Sequence, residues 1–284
     1  MFTVRRSACV AVVLWALCGP SSSVPVLSAR QNFSPPSHLE LLVRIAIWNE
    51  LQARKDPEAY FEYREMDWSP QSSTTSEQIE TPKGTVASVV ERNGEPLSPA
   101  ERQKNARHLL KLAHSAKMQR SLLASQRQQT ARRMGLLKDF PSAFLFQYEG
   151  AEPNGVVRLK FSPNPAYQPL SKEDIALRGM AGTMWIDPSS QRLVKINGTL
   201  VRDVTLGWGV VVRLYRGGHF VMEQAEVAKG SWKTTLLAVN LTGKILLVKN
   251  LHVDMKQTRQ AFEPVASNLT VAQAVEMLRR EPAR

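Results

Sequence analysis

Beyond Cys18 the chain of 284 residues holds no cysteine. Both cysteines, Cys9 and Cys18, fall within a stretch laid out like an export signal. Arg5 and Arg6 form a short basic start. Ala8 to Gly19 is an apolar run too short for a bilayer span, which takes about 20 residues. Pro20 and the serines after it end any helix, and Leu27-Ser28-Ala29 offers a small residue for cleavage. Leu17 ahead of Cys18 suits lipidation poorly, and the arginine pair lacks the rest of a twin-arginine signal. The reading is a signal peptide over residues 1–29, cut at Ala29 or earlier, with an uncleaved anchor as the alternative. The remaining 284 − 29 = 255 residues have no thiol for a disulfide, a soft metal or nucleophilic attack. Their expected location is the periplasm or the outside of the cell.

Other absences narrow the chemistry. No later apolar stretch reaches spanning length; the longest, such as Ile245 to Val248, suits a buried strand. The histidines His38, His108, His114, His219 and His252 lack metal-ligand spacing, so no metal and no cofactor are expected. No G-x-S-x-G elbow supports acyl transfer. Asp187 precedes Pro188 and reads as a turn carboxylate; Arg202, Asp203 and Glu223 read as cross-strand partners. Of the Asn-x-Ser/Thr triplets at Asn32, Asn197, Asn240 and Asn268, chance supplies about one or two, and Asn240 is expected in a tight turn, so they are read as carrying no glycans. The tryptophans are expected mainly as core anchors.

Acid is missing locally as well. The chain carries 37 Lys+Arg against 25 Asp+Glu, a net of +12. Between Arg102 and Lys138 there are ten Lys/Arg and no acid. One reading is a solvated helix face. The other is attraction to an anionic membrane surface, worth about 1 kcal/mol per well-placed cation, or to an acidic envelope protein. Export argues against nucleic acid as a partner.

Periodicity supplies the elements. Residues 30–37 read as a linker, and Leu39–Arg54 as an amphipathic helix. Ala59–Trp68 and Thr85–Arg92 read as strands, with Ser69–Thr81 between them as a polar loop. Ser98-Pro99-Ala100-Glu101 is a capping box that opens a basic helical segment over 99–137, as one kinked helix or two. A hairpin follows, over Ala143–Glu149 and Val156–Phe161. Five further strands are expected at Gly182–Asp187, Arg192–Leu200, His219–Ala228, Lys233–Leu241 and Ile245–Met255, with a turn at Thr242-Gly243. Their short connections demand antiparallel neighbours. Residues 38–265 form one domain, and 266–284 a tail or short helix.

Thr234–Leu241 is apolar on both pleat faces. Helices can cover one face; the other needs more protein or a bound apolar molecule. The alternative is a curved sheet that fills itself with its own side chains.

The run Gly182 to Ile196 (GTMWIDPSSQRLVKI) carries a resemblance. A strand ending in W-I-D-P, a tight turn and an R-L-V-K-I strand resembles the hairpin of the periplasmic lipoprotein-sorting carrier superfamily (LolA-like). The resemblance implies an α+β fold, a strongly curved antiparallel sheet forming an incomplete barrel, with helices covering the concave side. It also implies non-enzymatic binding or carriage of a lipid or an acylated protein. The large apolar residues Met184, Ile186, Leu206, Trp208, Phe220 and Met222 are the expected ligand contacts, chosen for their closeness to the hairpin and the glycine bends. A monomer is expected. The alternative is an envelope sensor or protein-interaction module that uses the same fold and its basic helices.

Overall fold

The computed structural model describes residues 38–55, 59–169, 173–206, 211–246 and 248–280. The expected signal peptide, the linker and Trp208 lie outside them.

Helix α1 spans His38–Lys55. Strands β1 (Tyr60–Ser69) and β2 (Ser72–Ile79) form a tight hairpin, in which Ser69 Oγ accepts from the Ser72 amide. The polar loop expected over Ser69–Thr81 is therefore a strand. Its polar side chains have partners inside the sheet: Gln78 Nε2 donates to Glu65 and to Ser76. Strand β3 (Val86–Arg92) turns at Asn93-Gly94, both at positive φ, into the short β4 (Glu95–Pro96).

The capping box forms as expected: Ser98 Oγ accepts from the Glu101 amide, and the Glu101 carboxylate accepts from the Ser98 amide. It opens α2 (Pro99–His114). A break at Ser115 starts α3 (Ala116–Ala143), which runs past the expected end and through Pro141. Burial of Phe140 and Ala143 holds that last turn, where proline removes only one late helical bond.

The rest is a meander: β5 (Phe144–Ala151), β6 (Val157–Pro163), a 3-10 turn (Glu173–Gly179), β7 (Met180–Asp187) and β8 (Arg192–Leu200). Then come β9 (Val204–Leu206), β10 (Val212–Leu214), β11 (His219–Ala228), β12 (Ser231–Ile245), β13 (Lys249–Val265) and α4 (Val271–Arg280). Thr242-Gly243 is no turn: Gly243 sits inside β12, opposite Leu251 and Leu214. The chain reverses three residues later, at Leu246 with φ 53°. Val248, expected in a buried strand, is exposed there, and Asn240 lies in mid-strand.

The fold is α+β: thirteen antiparallel strands in one strongly curved sheet that does not close into a barrel, eleven of them ordered β4-β3-β2-β1-β13-β12-β11-β8-β7-β6-β5, with β10 branching from β12 and β9 pairing with β10. The two free ends are β4 and β5. Helix α3 touches the loop ahead of β3 and leads into β5. Ten residues in from its start, Gln126 accepts from the Thr85 amide and donates to the Thr85 carbonyl; the last residue of the helix passes directly into β5. Its 28 residues make a strut about 42 Å long at ~1.5 Å per residue.

Helix α1 and the end of α3 pack on the inner face over β5–β8. Helices α2 and α4 pack against Ile79 and Val86, which point to the opposite pleat face from Tyr63 and Gln78. A third cluster joins β8, β9, β10 and β13.

Gly182 and Gly198 face each other across β7 and β8, and the Phe161 and Phe220 rings lie over them. A methyl at Gly182 would strike the Asn197 carbonyl as well as Phe161. Gly182→Ala is expected to cost about 2 kcal/mol or more by overpacking, read as a lower urea midpoint with an unchanged slope.

Candidate functional site

Pairing carries two rows of side chains across the inner face. One runs Met184, Ile196, Met222, Leu237, Gln257, Asp67 from β7 to β1. The other runs Phe146, Phe161, Gly182, Gly198, Phe220, Val239, Met255 from β5 to β13. Each changes character along its length. Over β5–β8, Phe161, Met184, Ile196 and Gly198 are buried, with Phe146 and Gly182 half-buried beside them. Over β11–β13, Phe220, Met222, Leu237, Val239 and Met255 are only half-buried. Beyond them the face is polar: Arg259 pairs with Glu65 at 2.7 Å, and Gln257 links Arg259 to Asp67. Tyr63 stacks on Phe262 in this band, and burial pushes its phenol well above the usual range.

Helix α1 covers the apolar end. Val43, Ala46 and Ile47 face Leu193, Ile196 and the phenylalanines of β5 and β6. One acid lies on this apolar side. Glu50, 2% exposed, pairs with Arg192 of β8 at 2.9 Å, and the Arg192 guanidinium lies over Trp232. Beside it Asn49 Nδ2 donates to the Gln191 carbonyl. Helix α1 thus rests on the sheet by an apolar contact with one buried ionic fastening. Its outer side shows Leu41 and Trp48, the latter 59% exposed. Trp48 and Trp68 are exposed, against the expectation of core anchors.

The expected ligand contacts divide. Met184 and Ile186 are fully buried beneath α1; Phe220 and Met222 border the same cluster but remain half-open. Leu206 belongs to the separate cluster under the 3-10 turn. The sequence reading missed Leu237, Val239 and Met255. The signal for Leu237 and Val239 was the apolar run TTLLAVNL, whose faces cannot be told apart until the register places one of them beside Phe220 and Met222.

Neither of the two best-formed hollows is a roomy apolar cavity. They measure about 170 and 50 Å³, against the 300–1,000 Å³ of ordinary ligand pockets. The larger is lined mostly by polar groups of β1, β2 and β13, among them Glu62, Arg64 and Glu263. The smaller lies at Trp232, Arg192 and Ala53, beside the Glu50 fastening. An apolar guest would have to displace a cover.

Other polar groups have local roles. The Asp187 carboxylate accepts from Ser189 and Ser190; burial opposes its charge, but these bonds hold it below the usual carboxylate range. Asp203 pairs with Arg213 and Glu223 with Lys195, whereas the sequence reading paired Arg202 and Asp203 with Glu223 across strands. No group of three or more His, Cys, Asp or Glu side chains among the described residues is arranged to hold a metal.

The fold also brings together a pair that sequence spacing hid. Near the end of α3, Asp139 meets Asp174 of the 3-10 turn, and Tyr167 donates to Asp139 at 3.2 Å. Burial, then the Asp174 carboxylate, raises the Asp139 carboxyl above its ordinary value. Neither hollow is lined by this pair.

A scan against family models, a search of curated proteins and a search of solved structures each found no match.

Two measurements follow from these pairs. Arg192→Met leaves Glu50 buried and unpaired, and is expected to cost about 3–5 kcal/mol in chemical denaturation. The double change with Glu50→Met is expected to recover most of that loss. For Asp139, a raised folded-state carboxyl favours the protonated form. Its stabilising contribution is complete at acid pH and is lost as pH rises through the folded-state value. Asp139→Asn should therefore raise the melting temperature at pH 8, leave it nearly unchanged at pH 4, and flatten the curve between.

Proposed function

We propose that this chain is a non-enzymatic binding protein of the cell envelope. It holds a lipid-like or acylated ligand against the inner face of its open sheet, and α1 is the displaceable cover. One observation carries this reading. The half-buried strip of Phe220, Met222, Leu237, Val239 and Met255 continues the apolar surface beneath α1 without a break in register. A hydrocarbon chain laid along it gains about 0.8 kcal/mol per methylene removed from water. If α1 shifts outward, Met184 and Ile186 join the same surface. Release then needs no bond cleavage, only the return of α1.

The export-like start of the chain and the likeness of the Gly182–Ile196 hairpin to the lipoprotein-sorting carriers support the same reading, and with it a periplasmic or secreted location. No described helix is long and apolar enough to cross a membrane. A second reading, an envelope sensor that contacts an acidic protein, is favoured by the unpaired cations of α2.

Titration of the purified chain with a fluorescent long-chain fatty acid tests the first reading. Leu237→Glu places a charge in the strip and should weaken binding at least 10-fold with little change in melting temperature. Thr258→Glu, on the opposite pleat face, should bind like wild type. Binding that ignores Leu237→Glu, or no binding by the wild-type chain, would remove the ligand strip.

A further inference from the structure

On α2, Lys104, Arg107, His108, Lys111 and His114 recur at three-to-four spacing and are all exposed. The opposite side of the helix carries Leu109 and Leu112, buried against α4 and β3, and Asn105, whose amide donates to Ser88 and the Val89 carbonyl. The cationic stripe is thus the outward one. It continues past Ser115 in the exposed Lys117, Arg120 and Arg127 of α3.

Many cations of the sheet are neutralised, although among the described residues Lys160, Lys244, Lys249 and Lys256 are not. Arg64, Arg158, Arg192, Lys195, Arg213, Lys233 and Arg259 each have a carboxylate within ion-pair distance. Among the described residues, Lys104, Arg107, Lys111, Lys117, Arg120 and Arg127 have none. No acid occurs from Arg102 to Lys138 to supply one. Six unneutralised cations held along a rigid helix pair repel one another, and an anionic surface relieves that repulsion.

We infer that the outer face of α2 and the first turns of α3 dock on an anionic lipid surface. Two features favour lipid over an acidic protein. From Lys104 to His114 the stripe runs along about 15 Å of α2, at ~1.5 Å per residue, and continues on α3 rather than converging on a point. The stripe also has no aromatic anchor, and Leu110 is the one large apolar side chain exposed on α2. Specific protein interfaces centre on a few large side chains buried in pockets of the partner. A line of exposed cations with no aromatic among them matches a surface of diffuse charge, where each adds independently and salt screens all of them. The inference deepens the proposed function by placing a lipid-binding protein at the surface where its ligand resides.

Flotation with vesicles tests it. The full chain is mixed with phosphatidylcholine vesicles, either pure or with about a third phosphatidylglycerol, at low and high salt. Wild type should float with the anionic vesicles only, and not in high salt. Lys104→Glu/Arg107→Glu/Lys111→Glu should weaken that binding by about 100-fold. These positions are solvent-facing, so an unchanged melting temperature checks folding. Equal binding to both vesicle types, or undiminished binding by the triple variant, overturns the inference. So does retention on immobilised poly-glutamate with no flotation, which assigns the stripe to an acidic protein instead. Fatty-acid titration of the same triple variant separates the two ideas: retained affinity with lost flotation supports docking apart from the ligand strip. Lost fatty-acid affinity with normal flotation overturns the docking role of these cations.

Discussion

An antiparallel sheet that curves without closing carries two liabilities at once. It has a concave apolar face with no partner sheet, and it has two unpaired edges. The architecture follows from how these are met. Helix α1 covers half of the apolar face, and α3 reaches from the loop ahead of β3 to the first residue of β5. Removing the cover would expose Leu193, Ile196, Phe144 and Phe161 together. Leaving the face partly uncovered exposes the strip over β11–β13.

That asymmetry gives the site its character. One end of the inner face is dry and packed, the middle is half-open and apolar, and the far end is a hydrogen-bonded ionic band. A ligand with a hydrocarbon part and a polar part would meet surfaces of both kinds in sequence. The cover is held by apolar contact plus the Glu50–Arg192 pair. A buried pair contributes little net stability relative to apolar replacements, but it fixes geometry, because any other seating of α1 leaves a charge unpaired. Such a fastening returns a helix to one register after displacement.

Much of the fold was legible from local signals. The Ser98–Glu101 capping box, the Asn93-Gly94 and Asp187–Ser190 turns and the alternation of β8 and β11 place elements within a residue or two of where they lie. The failures share one cause. The Ser/Thr-rich stretch of β2 reads as a loop because its polar side chains have no visible partner; Glu65, thirteen residues before Gln78, supplies one. Thr242-Gly243 reads as a turn, but that glycine is needed where the backbone of β10 crosses close by. Pro141 reads as a helix end, yet burial of Phe140 and Ala143 outweighs one lost hydrogen bond. In each case a long-range contact overrode a local preference.

The site shows the same division. Sequence alone determined which large apolar residues lie along β7, β11 and β12, and the acid-free basic run, because these are properties of order along the chain. Tertiary structure decided which of those residues are sealed and which stay open. Met184 and Phe220 are alike in pattern, but α1 lies over one and not the other. It also decided that Glu50 meets Arg192 and that Asp139 meets Asp174, pairs separated by 142 and 35 positions. Periodicity is set by neighbours within a few residues, whereas exposure and charge pairing depend on where distant segments come to rest.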